Sequence, residues 1–121
     1  MASAATDLLK RYVALHNHGV RTGDFTQLVS LFAPSAVMRF ENAAFGPLDG
    51  ASEIADAFST HPPDDELELL SVAPTGQRAT YAWATQRRVA AGELRLRDRD
   101  GLIIELVVAS SDSRDSSSVS R

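Results

Sequence analysis

Cysteine is absent from the 121 residues. Its absence excludes disulfides, a thiolate nucleophile and cysteine-ligated zinc, and it leaves no redox clue to compartment. Lysine is nearly absent too, because eleven of the twelve basic residues are arginine. We read that as coding bias rather than function. Positive charge is in deficit overall, at a net −4, which speaks against a nucleic-acid partner, whose phosphates want a basic patch. No apolar run approaches the roughly 20 residues of a membrane helix, so no membrane partner is expected. Met1 to Thr6 offers no basic stretch followed by an apolar core, and the expected location is cytoplasmic. There is no Gly-rich phosphate loop and no serine in a nucleophile-elbow context. His16 and His18 are two apart on an expected helix and face different sides, so they cannot share a metal. Neither a metal nor a cofactor is expected.

What remains is an ordinary globular composition, 44% hydrophobic and 23% charged. The length suits one core that needs no staple. Asp7 to Val20 reads as a helix, with Leu8, Tyr12 and Leu15 on one apolar stripe and Thr6 as its cap. Gly19 stands near its expected end. Asp24 caps a second helix, Phe25 to Phe32, with Leu28, Leu31 and Phe32 inward. Ala36 to Glu41 alternates as a strand, with Ala36, Met38 and Phe40 on one face and Val37, Arg39 and Glu41 on the other. Asn42 to Gly50 reads as a loop and Ala51 to Phe58 as a third helix.

The remainder is β in character. Strands are expected over Glu66 to Val72, Arg78 to Val89, Glu93 to Arg97 and Leu102 to Ala109, with a hairpin turn at Asp98 to Gly101. Helices first and strands after imply an α+β fold with an antiparallel sheet. The expected domain is 1–109. Seven of the last twelve residues are serine, so 110–121 is expected to be a disordered tail.

Three segments carry a resemblance. They are the run Arg11-Tyr12-Val13-Ala14-Leu15-His16-Asn17, the turn Gly23-Asp24-Phe25, and the stretch Leu28 to Val37 with Leu31-Phe32-Ala33 at its centre. Pro47-Leu48-Asp49-Gly50 followed by Ile54 and Phe58 extends the match. Over residues 7–109 the chain resembles the nuclear transport factor 2-like superfamily, including its SnoaL-like and ketosteroid isomerase-like branches. The resemblance implies a cone of curved antiparallel sheet, packed with N-terminal helices around an apolar pocket. It implies a small-molecule pocket protein for an apolar cyclic ligand, a divergent isomerase, cyclase or hydrolase. The other implied class is a non-catalytic dimerisation or interaction module. A homodimer is expected either way, covering the open sheet face.

Candidate pocket residues are Phe32, Met38, Phe40, Phe58, Trp83 and Leu106. Tyr12 falls where the isomerase branch has an oxyanion-binding tyrosine. Its plainer role is a core aromatic. The isomerase base is expected eight residues past Phe32, which is Phe40, and an aromatic ring cannot take a proton. Glu41 is next, on the opposite face by strand parity unless a bulge re-aims it. The remaining isomerase acid aligns with Glu93 by direct count and with Gly92 by matching apolar faces. The second alignment is preferred, because the first buries Glu93, Arg95 and Arg97. In the SnoaL-like branch an acid works with a His or Asp partner, for which His16 and Asp49 are the nearest candidates. Asp98-Arg99-Asp100 spells the epoxide-hydrolase order, but in a turn those side chains diverge. The catalytic candidates are therefore Tyr12, His16 and Glu41. Thr85, Arg87, Arg95, Arg97 and Glu105 would mark the outer sheet face.

Overall fold

The computed structural model describes residues 4–86 and 89–110. The 19-residue helix α1 (Ala4–Thr22) buries Leu8, Leu9, Tyr12 and His16 along one stripe. It outlasts its expected end. Gly19 lies inside it, and the residue that leaves the helix is Gly23, at φ 84°, whose N–H donates to the Gly19 carbonyl. Gly19 has a different reason to lack a side chain, because the Phe25 ring lies against its Cα.

Asp24 accepts a hydrogen bond from the Thr26 N–H at 2.9 Å and starts α2 (Thr26–Val29). That bond, rather than burial, draws the Asp24 carboxyl below its usual range. The helix is one turn, shorter than the eight residues expected. Leu31 and Phe32 are buried as foreseen, but Phe32 already begins β1 (Phe32–Glu41) and pairs with Ile103. Pro34, which helices tolerate poorly, sits within that strand.

The loop after β1 contains a two-residue strand, β2 (Leu48–Asp49), which the sequence had not signalled. Then come α3 (Ala51–Thr60), β3 (Leu67–Val72), β4 (Arg78–Trp83), a 3₁₀ turn (Ala84–Gln86), β5 (Ala90–Arg99) and β6 (Leu102–Ser110). The strand expected to run on to Val89 breaks after Trp83, where the Ala84 N–H donates to the Glu66 carbonyl. The hairpin turn is only Asp100-Gly101, both at positive φ, the two-residue turn that suits the twist of paired strands. Ser110 is the last residue of β6, paired with Gly92, rather than the first of a tail. The tail expectation for 111–121 lies outside the described residues.

The six strands form one curved, unclosed sheet in the order β2-β1-β6-β5-β4-β3. Neighbours are antiparallel except β1 and β6, which run parallel. A parallel pairing such as β1 with β6, at opposite ends of the chain's strand order, cannot come from a hairpin. Strand parity holds where it matters. Ala36 and Met38 are buried while Arg39 and Glu41 are exposed, and no register shift falls between Val37 and Glu41. Leu9, Leu28, Ile54, Leu94, Leu96, Ile103 and Leu106 are fully buried between sheet and helices. No helix among the described residues is long and apolar enough to cross a membrane.

Candidate functional site

The helices cover only part of the inner sheet face, and the rest is a cavity of about 160 Å³. Each element contributes the residues its periodicity turns inward. Tyr12 and His16 come from α1, one turn apart. Met38 and Phe40 are the inward pair of β1, and Trp83, Leu94 and Val108 come from β4, β5 and β6. Ala57 and Phe58 descend from α3, Leu48 closes one side, and Leu67 closes another. Phe45, His61 and Pro63, from the loops flanking α3, form the rim. The Phe45 ring meets Phe40 edge-on at 5.0 Å and lies 6.1 Å from His61. Phe45 is 44% exposed, unusual for a large apolar side chain, and it stands at the mouth.

Six of the eight named Tyr, His and apolar candidates line this space: Tyr12, His16, Met38, Phe40, Phe58 and Trp83. Phe32 and Leu106 do not. They pack in the solid core behind it, where the Phe32 ring meets Tyr12 edge-on at 6.3 Å. Glu41 is also placed elsewhere, with its side chain 52% exposed on the outer face and ion-paired to Arg95. The β1 pleat turns it away from Phe40, and no bulge intervenes to re-aim it. Asp49 is exposed, and its backbone N–H donates to Glu53. Asp98 and Arg99 end β5 at the hairpin turn, remote from the cavity lining. The loop residues Phe45, His61 and Pro63 carry no sequence signal for the cavity, and Leu48 carries one only as part of the family match. Leu94 is legible from β5 parity, on the apolar face that it shares with Leu96.

Among the described residues no carboxylate lines the cavity. Its titratable groups are Tyr12, His16 and His61. Burial, with a smaller contribution from Tyr81, raises the pKa of the Tyr12 hydroxyl well above its usual value, so it stays protonated. His16 is 3% exposed. Its Nδ1 lies 3.1 Å from Asn17 Oδ1, and its ring packs near Tyr12 and Trp83. Burial lowers its pKa, outweighing the opposite pull of Asn17, Glu66 and Asp65. Among the described residues no group of three or more His, Asp or Glu side chains could hold a metal.

The lowered His16 pKa makes a pH prediction. Above about 6.5, the free histidine value, the ring is neutral folded or unfolded and contributes nothing. Below it the unfolded chain takes up a proton that the folded chain refuses. Stability should therefore fall as pH drops, until the folded pKa is passed, with a slope of at most about 1.4 kcal/mol per pH unit. Melting temperatures from pH 7.5 to 5 check this. His16→Gln should flatten part of the slope, and parallel profiles for the two proteins would contradict it.

The opposite sheet face is charged. Glu105 accepts from Arg39 Nε at 2.9 Å and from Arg97 at 3.0 Å, which holds its carboxyl below the usual range. Glu93 lies 3.6 Å from Arg78 and 3.7 Å from Arg95. Arg39, Arg78, Arg95, Arg97 and Glu105, with Glu41, line a broad depression of about 640 Å³. Thr85 is not among them, because the chain leaves the sheet first and its hydroxyl bonds Asp65 instead. Arg87 lies outside the described residues.

No protein-family model matches the sequence, and no curated protein matches it. Solved structures do match. An NTF2-like protein of unknown function from Cytophaga hutchinsonii superposes with a TM-score of 0.65 at 12% identity, covering 93% of both chains. A protein from Kribbella flavida described as a candidate ketosteroid isomerase gives 0.64 at 15%, over 90% of this chain and 78% of its own. One from Xanthomonas campestris described as a candidate polyketide cyclase gives 0.60 at 16%, over 97% of both. At such identities the likeness is one of architecture, and the chain has the fold of the NTF2-like proteins.

Proposed function

We propose that the chain binds a small, apolar, cyclic molecule in the cavity beneath its sheet. One observation carries the reading: a cavity of about 160 Å³ whose lining is apolar but for Tyr12, His16 and His61. An apolar protein cavity of roughly 150 Å³ takes up benzene, so the ligand is about one ring in size. The neighbours described as a candidate isomerase and a candidate cyclase suit this reading. A divergent isomerase, cyclase or hydrolase built here would have no carboxylate in the lining and would rely on His16 or Tyr12 for proton chemistry. Toluene titrated against the labelled protein should give saturable shifts at Met38, Leu94 and Val108. Val108→Phe should fill the space and weaken uptake at least tenfold with the fold intact. Shifts that never saturate, or that survive filling, would remove the proposal.

The charged outer face favours a second role beside the first, a homodimer. Arg39, Arg78, Arg95 and Arg97 interleave with Glu41, Glu93 and Glu105. A two-fold axis lets such a mixed surface meet itself with each sign facing the other. Tyr81 and Trp83 do not supply that face, because Tyr81 is buried and Trp83 lines the cavity. The contact is therefore polar and should weaken with salt. Sedimentation should show a dimer at high micromolar protein, and Arg95→Glu should shift it to monomer. A wild-type monomer at that concentration would count against the homodimer.

A further inference from the structure

Asn17 fixes the protonation form of His16. Its side-chain Nδ2 donates to the Leu67 carbonyl at 2.9 Å, and its Oδ1 accepts the Leu67 N–H at 2.7 Å. The amide thus pairs with the first residue of β3 as a neighbouring strand would. A flipped amide would set donor against donor and acceptor against acceptor, so the position of Oδ1 is determined. That same Oδ1 lies 3.1 Å from His16 Nδ1. Facing an acceptor, Nδ1 carries the proton. A neutral imidazole has only one, so Nε2 presents a bare lone pair. Among the described residues no group hydrogen-bonds Nε2, although the ring is 3% exposed and lines the cavity.

On a ring that lines the cavity, that lone pair is open to a donor on whatever enters. We infer that His16 Nε2 is the anchor for a single-ring ligand carrying one neutral hydrogen-bond donor, a phenol or a comparable ring hydroxyl. The inference rests on the cavity-binding reading above and names the ligand class. An acceptor-only ring such as a cyclic ketone would set its lone pairs against that of Nε2. Asn17 hinders the ring from switching to the other tautomer. An ammonium or carboxylate would have to shed its hydration in an apolar enclosure. A phenol satisfies the lone pair without bringing charge. Asn17 touches no ligand in this arrangement and is a positioning residue.

The test pairs a spectrum with a titration. Nitrogen-15 correlation spectra of the histidine side chains should show His16 as the Nδ1–H tautomer in the free protein. Phenol should then bind about tenfold tighter than toluene, its apolar match in shape, a ratio equal to about 1.4 kcal/mol. Only phenol should move the Nε2 resonance, and neither toluene nor cyclohexanone should. Asn17→Leu should erode the preference for phenol and mix the tautomers, while toluene still binds. Equal affinity for phenol and toluene would overturn the anchor and leave the cavity reading standing. An Nε2–H tautomer in the free protein would overturn the anchor even if rings enter. If no compound enters, the cavity reading falls and the ligand class falls with it.

Discussion

Purified protein is expected to convert a β,γ-unsaturated ketosteroid at a rate indistinguishable from buffer. The reaction needs a base to remove a proton beside a carbonyl and donors to hold the enolate oxygen that results. By the sequence resemblance Phe40 falls where the base is expected, and its ring lines the cavity. The nearest carboxylate in sequence, Glu41, is on the far side of the sheet against Arg95. By the same resemblance the second donor is expected at Gly92, which offers no side chain. Tyr12 alone could donate. Losing one oxyanion donor costs about 10²–10³ in rate, and losing the base about 10²–10⁴ more. The two need not multiply, because groups in one site are coupled. Size adds an independent obstacle, since about 160 Å³ suits one ring, whereas sites for larger ligands run to roughly 300–1,000 Å³. Ultraviolet absorbance of the conjugated product gives the rate, with Tyr12→Phe as control. Efficient turnover abolished by Glu41→Gln or Glu93→Gln would mean that the β1 or β5 register is wrong.

That prediction rests on parity, the part of the site most legible in the sequence. Alternation over Ala36 to Glu41 separated Met38 and Phe40 from Arg39 and Glu41, and the folded sheet keeps the separation. The charged face of β5 was legible for the same reason, since Glu93, Arg95 and Arg97 could not all be buried. Local pattern failed where two periods coincide. Leu28, Leu31 and Phe32 suit a helix, yet Phe32 is equally suited to a strand, and pairing with Ile103, 71 positions on, decided it. The rim was invisible for a related reason. Phe45 and His61 flank α3 in sequence, and only the path of their loops brings them to one mouth. The clamp of Asn17 on Leu67 spans 50 residues, and nothing near either residue announces it. Periodicity reports which way a side chain faces, but not which distant backbone it meets.

Gly92→Ala should be among the most destabilising single-methyl changes in this protein. A Cβ at Gly92 would lie 1.8 Å from the Ala109 carbonyl oxygen and 3.1 Å from the Ser110 Cα. Both are backbone atoms of β6, held by the ladder that pairs Gly92 with Ser110 and Glu93 with Ala109. No rotamer change can relieve the contact, so the strands must part. Overpacking typically costs about 1–3 kcal/mol and occasionally more, and a contact with a paired strand belongs at the top of that range. For a domain this size the melting temperature should drop by roughly 10 °C. Gly19→Ala is the graded comparison. Its Cβ would fall 2.2 Å from the Phe25 ring, which stacks on Phe58 at 5.0 Å. Alanine gains about 1 kcal/mol of helix propensity there, and the ring, unlike a strand, can move. A smaller loss is expected, relieved in Gly19→Ala/Phe25→Leu. Gly23→Ala meets nothing within 4 Å and bears only its φ of 84°, a cost of about 1–2 kcal/mol. Thermal unfolding of the three variants should therefore place Gly92→Ala lowest. If it melts within two degrees of wild type, Gly92 does not abut β6, and the register between these strands must be redrawn.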